Sequence, residues 1–237
     1  MADAEDGEVG DVAAGNVGLN TAYSSGADAA AIVFYGQFGR RRSRQLIEAC
    51  FEDGRLLPRR TLGALGAEIP ELKRRFRFND DFARATLPEI LGADRLAAAE
   101  RFEARAFRSG VFLSDGRGGW RFQPLPRICQ IAPAQAMAAG DFDGDGRMDL
   151  FIVQNWHGPI PYVGRFTGGL GQLLLGDGQG GFRAVEPAES GLVVPGDGRD
   201  VAVVDFGRRW GRGLLVSRND STLLGFVRRP AEREAGR

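Results

Sequence analysis

The most constraining feature of this chain is the run Asp141-Phe142-Asp143-Gly144-Asp145-Gly146-Arg147-Met148-Asp149, followed at once by Leu150-Phe151-Ile152-Val153. Counted from Asp141, carboxylates stand at positions one, three, five and nine, and Gly146 stands at six. Carboxylates this crowded repel one another, and a cation is the simplest neutraliser. Hard cations such as Ca²⁺ take several oxygen ligands at short range, and a tight glycine-containing loop can turn alternate carboxylates inward. The backbone carbonyl of Arg147, at position seven, is the natural extra ligand. Up to this point an EF-hand fits as well. Position twelve decides against it, because Ile152 replaces the bidentate Glu. Leu-Phe-Ile-Val is a short buried-strand run, not the start of an exiting helix. The stretch reads as strand, cation loop, strand. The plainer alternative is an acidic surface turn that binds nothing.

Diverged copies of this hairpin lie on both sides of it, and fixed-period self-similarity is the mark of a repeat architecture. Downstream, Asp205-Phe206 aligns with Asp141-Phe142, and Gly213-Leu214-Leu215 aligns with Asp149-Leu150-Phe151, both at an offset of 205 − 141 = 64. Of the ligands only Asp205 survives, and Arg208, Arg209 and Arg212 crowd the loop. Upstream, Gly36-Gln37-Phe38 aligns with Gly140-Asp141-Phe142. There Arg40, Arg41, Arg42 and Arg44 stand where carboxylates would be, a solvated loop with no aromatic interleaving for bases. A second unit repeats too: Leu113-Ser114-Asp115-Gly116-Arg117-Gly118-Gly119-Trp120 matches Leu175-Gly176-Asp177-Gly178-Gln179-Gly180-Gly181-Phe182 at an offset of 182 − 120 = 62. Asp-Gly supplies the positive backbone angles of tight hairpins. Gly176, Gly178 and Gly181 spell GxGxxG, but a dinucleotide site needs a helix next, and Phe182-Arg183-Ala184-Val185 is strand-like. Asp11-Val12-Ala13-Ala14-Gly15-Asn16 echoes the strand-plus-Asn endings at Asn155 and Asn219. Asp3, Glu5, Asp6 and Asp11 have the wrong spacing for a second loop.

The motif Asp-x-Asp-x-Asp-Gly-x-x-Asp-Leu at 141–150 resembles the FG-GAP repeat of integrin alpha chains, and more closely the bacterial VCBS/FG-GAP repeat proteins. The resemblance implies β-propeller blades, Ca²⁺ as cofactor and, as metal ligands, Asp141, Asp143, Asp145, Arg147 through its carbonyl, and Asp149. It implies a non-enzymatic structural or adhesion-like role, a protein or carbohydrate partner, and an extracellular, periplasmic or cell-surface setting. The match is full at one loop and degraded at the others.

The spacing from Phe38 to Phe142 is 142 − 38 = 104, which is 40 beyond the other period. The excess falls at about 66–109, which reads as helix. Thr86-Leu87-Pro88-Glu89 is a capping-box pattern, and Asp94 is an N-cap candidate before a stripe of Leu96, Ala99, Phe102 and Phe107. The expected organisation is all-β: a partial or open propeller of about three to four blades with a helical insertion. Residues 1–20 end a preceding blade, 30–65 and 191–228 are degenerate repeats, 66–109 the insertion, 110–190 the blade with the intact loop, and 229–237 a disordered tail. An arc this short continues into further blades or pairs through exposed edges.

Composition narrows the classes. Lys+Arg and Asp+Glu are both 31 in 237 residues, so no basic excess points to nucleic acid. The 35 glycines suit a turn-rich β protein. No apolar stretch reaches membrane-spanning length, and the acidic N-terminus is no signal peptide. Cys50 and Cys129 read as free thiols, with pairing left open. The single histidine, His157, offers neither a zinc site nor a convincing triad. Trp156, His157, Tyr162 and Phe166 are either a ligand patch or packing under a Gly-Pro-rich connection. The competing readings are a lectin-like propeller and a non-catalytic part of a glycan- or lipid-active enzyme; fold alone separates none of them.

Overall fold

The structure, a computed structural model, describes residues 10–23, 30–40, 43–159 and 163–228. In chain order the elements are β1 (Val12–Ala14), β2 (Ala31–Gly36), β3 (Gln45–Glu52), β4 (Arg55–Pro58), α1 (Leu62–Glu68), α2 (Glu71–Arg75), α3 (Asn79–Arg84), α4 (Leu87–Leu91) and α5 (Ala93–Ala97). Then come β5 (Glu100–Ala104), β6 (Gly110–Ser114), β7 (Trp120–Pro124), a 3-10 turn Arg127–Gln130, β8 (Ala134–Gly140), β9 (Asp149–Gln154), β10 (Gln172–Gly176), β11 (Phe182–Val185), α6 (Pro187–Ser190), β12 (Gly198–Asp205), β13 (Arg212–Arg218) and β14 (Leu224–Val227). The protein is mostly β, with four antiparallel sheets and a few short helices, and none of these sheets closes into a barrel. The chain divides into two compact units, Thr21–Phe107 and the remainder, Met1–Asn20 with Arg108–Arg237.

In the larger unit three sheets follow one another: β1-β6-β7, then β8 to β11, then β12-β13-β14. The middle sheet is covered on both faces, and β9 shows how. All six of its residues are buried, because alternate side chains of a strand point to opposite faces. Leu150 and Ile152 join Leu174 in a core with Val111 and Cys129, from the region of the first sheet. Phe151 and Val153 join Val201, Leu214 and Val216 of the third sheet in another core. A continuous apolar run is what a doubly covered strand requires, which is why Leu-Phe-Ile-Val shows no alternation.

The hairpin repeat is visible as strand register. Gly140 pairs with Asp149, Val204 with Gly213, and Gly36 with Gln45. Each pair spans the same sequence separation, at the offsets of 64 and 104 found in the sequence (204 − 140 and 140 − 36). The second unit repeats as closely: Ser114 pairs with Trp120 and Gly176 with Phe182. At both turns one Asp carboxylate oxygen accepts two backbone N–H groups. Asp115 takes those of Arg117 and Gly119, each at 2.8 Å, and Asp177 those of Gln179 at 2.7 Å and Gly181 at 2.9 Å. These bonds hold both carboxyls below the usual carboxylate range. A depressed folded pKa gives stability that is fully present above the unfolded value, about 3.9, and lost as pH falls through the lower folded value. Acid denaturation followed by circular dichroism is expected to show stability dropping below about pH 4. The Asp115→Asn/Asp177→Asn variant is expected to show a shallower drop.

The smaller unit carries the sheet β4-β3-β2-β5 and the five short helices, with its own core around Ile32, Phe38, Ile47, Leu65 and Leu87. The Thr86 capping box forms as the sequence indicates: Thr86 N–H donates to Glu89 Oε2 at 2.7 Å, and Glu89 N–H to Thr86 Oγ1 at 3.4 Å. Gln45 takes over a structural duty in this diverged hairpin. Its buried Oε1 accepts the Phe38 N–H at 3.0 Å, at the register position of Asp149. Gln45→Ala leaves that N–H without its acceptor and is expected to cost about 1–3 kcal/mol in urea denaturation.

The sheets divide the chain differently from the sequence-based boundaries. β1 is not left at the end of a blade; Ala14 pairs with Gly110, 96 residues downstream, and β6 and β7 complete its sheet. The expected 110–190 blade is therefore divided between two sheets. The expected helical insertion at 66–109 is helical only in part. Helix starts at Leu62, and Glu100–Ala104 is a strand pairing with β2. Asp94 is not an N-cap, since α5 is five residues long and is preceded by Gly92 at φ 94°. The four-residue stripe dissolves with the helix: Leu96 and Phe107 are buried, whereas Phe102 is 55% exposed. Strand wins here because β2 offers an unpaired edge whose backbone groups need partners. Asp3, Glu5 and Asp6, and the 229–237 tail, lie outside the described residues.

Candidate metal centre

The loop between β8 and β9 gathers Asp141, Asp143 and Asp149, each offering a carboxylate oxygen within 4.8 Å of the others. No other group of three acidic, histidine or cysteine side chains converges among the described residues. Gly144 at φ 88° and Gly146 at φ 83° place the turns in a backbone region that L side chains avoid. They bring two N–H groups onto Asp141: Gly144 to Oδ1 at 2.6 Å and Gly146 to Oδ2 at 3.0 Å. Asp145 N–H donates to Asp143 Oδ1 at 3.0 Å. The Arg228 guanidinium, from beyond β14, donates to the Asp143 carbonyl at 3.0 Å.

Asp149 differs from the other two. It is fully buried, and its oxygens accept the Phe142 N–H at 2.8 Å and the Gly176 N–H at 3.0 Å. One carboxylate thus fastens the loop to its own start and to the end of β10. No side chain fits at Gly176, where a Cβ would lie 2.1 Å from the Met148 carbonyl oxygen.

Asp145 and Arg147 are placed differently from Asp141, Asp143 and Asp149. The Asp145 carboxylate accepts the Arg147 backbone N–H at 2.8 Å and pairs with the Arg147 guanidinium. The backbone bond first, then the guanidinium, holds the Asp145 carboxyl below its usual range. The Arg147 side chain lies along Gly178 and borders an open groove of about 670 Å³. Asp143, Asp145, Phe182, Arg183 and Gln123 also line this groove.

The donor set suits a hard cation. All the oxygens are carboxylate, and each has lone-pair capacity beyond the N–H it accepts. Ca²⁺–oxygen distances of about 2.3–2.6 Å put ligands on opposite sides of the ion about 5 Å apart, so the 4.8 Å spread can enclose an ion. The diverged loops lack such a set. Asp205 spends an oxygen on the Gly207 N–H at 2.8 Å, and Arg209 lies over the Trp210 ring at 4.8 Å. Upstream, Arg44 pairs with Glu100 at 2.5 Å and covers the Tyr35 ring at 4.0 Å; Arg41 and Arg42 are outside the described residues.

Other sequence candidates resolve as follows. Cys50 and Cys129 are both free, and burial pushes the Cys129 thiol up to about 12. Phe182–Val185 is a strand, so no helix N-terminus follows the GxGxxG. Trp156 and Phe166 exchange backbone hydrogen bonds at 2.9 Å and stack at 6.3 Å between ring centroids. His157 stands beside that pair, and Tyr162 is outside the described residues. Three contributors escaped the sequence reading: the Gly176 N–H, Arg228 and Gln45. Only Gln45 left a usable signal, since 149 − 104 = 45. No protein-family model matches the chain, and neither a curated protein nor a solved structure matches it.

Proposed function

We propose that this chain is a calcium-binding FG-GAP/VCBS-type propeller module with a structural, adhesion-like role and no catalysis of its own. The observation that carries the reading is the convergence of Asp141, Asp143 and Asp149 at the head of a hairpin whose register recurs twice. Sheets packed in sequence order on shared cores support the blade reading, since propeller blades are small antiparallel sheets that bury one another's faces. A bound cation would offset the repulsion of the carboxylates and stiffen the loop. The chain's own contribution is the prearranged turn: the glycine conformations, the Asp141 bridges and the buried Asp149 anchor stand ready before any ion arrives. The ligand is a protein or carbohydrate presented to the propeller surface outside the cell.

Calcium is expected to raise the melting temperature, and excess chelator to reverse the rise, as read by differential scanning fluorimetry. Asp143→Ala is expected to abolish the calcium-dependent part. A melt identical in calcium and chelator would sink the proposal. The stack of exposed Trp156 on half-buried Phe166 favours a second reading, a carbohydrate platform, because sugars pack on aromatic faces. Glycan-array binding by the native chain that is lost in Trp156→Ala would select it.

A further inference from the structure

The three sheets of the larger unit follow one packing rule, and the rule leaves two faces open. In the middle sheet Leu174, Phe182 and Ala184 face the first sheet and lie in the shared core. Their counterparts in the first sheet, at the offset of 62, are Phe112, Trp120 and Phe122. These point the same way along the stack, where no other described sheet of the larger unit covers them, and their exposures are 38%, 44% and 39%. Val12 pairs with Phe112, which pairs with Phe122, so one apolar row crosses the whole sheet. The Phe112 and Phe122 rings touch at 5.0 Å between centroids. At the other end, Ala138 and Phe151 of the middle sheet face the third sheet and are buried there. Their counterparts at the offset of 64 are Ala202 and Leu215, neither of them buried. Val227, on the same outer face, is 37% exposed.

Each interior interface joins one face of the Leu174 kind to one face of the Phe151 kind. Among the described residues, the larger unit presents one open face of each kind. We propose that two copies associate head to tail, with the Phe112–Phe122 row of one covered by the Ala202–Leu215 face of the other. The occupant is a second copy because the two open faces are the halves of an interface the protein already builds twice within itself. Bulky rings on one side meet the small, exposed Ala202 on the other, with the Phe206 ring lying over Gly213 and Gly225 on that same face. The contact is heterologous, so it either closes a ring or propagates. The larger units of two copies supply six sheets, within the range of about four to eight blades at which propellers close. This inference rests on the blade reading above but not on calcium.

The test is analytical ultracentrifugation of the full chain over a concentration series. The native chain is expected to shift with concentration from 25.6 kDa toward twice that mass or beyond. Phe122→Glu and Ala202→Glu alter exposed positions and are expected to keep the native melt, but each alone stays at the monomer mass. Mixed together, they are expected to form a one-to-one complex, since one contributes an intact aromatic face and the other an intact small-residue face. A native chain that stays monomeric at every concentration overturns the proposal. So does association that survives Phe122→Glu, or a mixture that stays monomeric. The calcium-dependent melting shift is read in the monomeric Phe122→Glu variant, so failure of association and failure of calcium binding are told apart.

Discussion

Asp149→Ala is expected to destabilise the protein by about 2–6 kcal/mol even in excess chelator. It strands two backbone donors, the Phe142 and Gly176 N–H groups, inside a fully buried site, and each unsatisfied donor costs about 1–3 kcal/mol. Asp143 sits in the same acidic group but is exposed, and its carboxylate accepts the N–H of Asp145, within the loop itself, while the Arg228 bond goes to its backbone carbonyl and survives truncation of the side chain. Asp143→Ala is therefore expected to be nearly silent in chelator and to lose only the calcium-dependent gain. The measurement is urea denaturation of both variants with and without calcium. Equal losses in chelator would show that Asp149 is not the anchor the hydrogen bonds describe. Asn at 149 keeps one acceptor oxygen and should fall between native and Ala.

Phe151→Ala is expected to cost about 3–5 kcal/mol, the usual range for truncating a buried aromatic. Phe151 is fully buried between the second and third sheets, among Val201, Leu214 and Val216. Its ring also closes on the turn before β10, where a Cβ at Gly171 would meet the Phe151 Cζ at 3.0 Å. The truncation empties the core on one face of the sheet that carries the acidic loop. Thermal and urea unfolding read the loss directly. A loss near 1 kcal/mol would mean that the third sheet does not pack on β9 as described.

Much of the site was legible from the chain alone, because its causes are local. Carboxylates at alternate loop positions, glycines where φ must be positive, and an Asp opening each Gly-rich turn act over two to five residues. The offsets of 62 and 64 placed the diverged hairpins at their observed register, because a strand's two-residue side-chain period fixes which positions face a core. The Thr86 cap was legible for the same reason.

What the sequence alone determined, then, is the acidic hairpin, its diverged copies and the β character of the chain. Tertiary structure decided which strands share a sheet. Val12–Ala14 finds its partner 96 residues away, and Glu100–Ala104 becomes a strand only because β2 presents an open edge. It also decided that Arg228 reaches the Asp143 carbonyl and that the Gly176 N–H meets Asp149. Those outcomes depend on competition among distant backbone donors, acceptors and apolar faces, and no window of neighbouring residues contains the competitors.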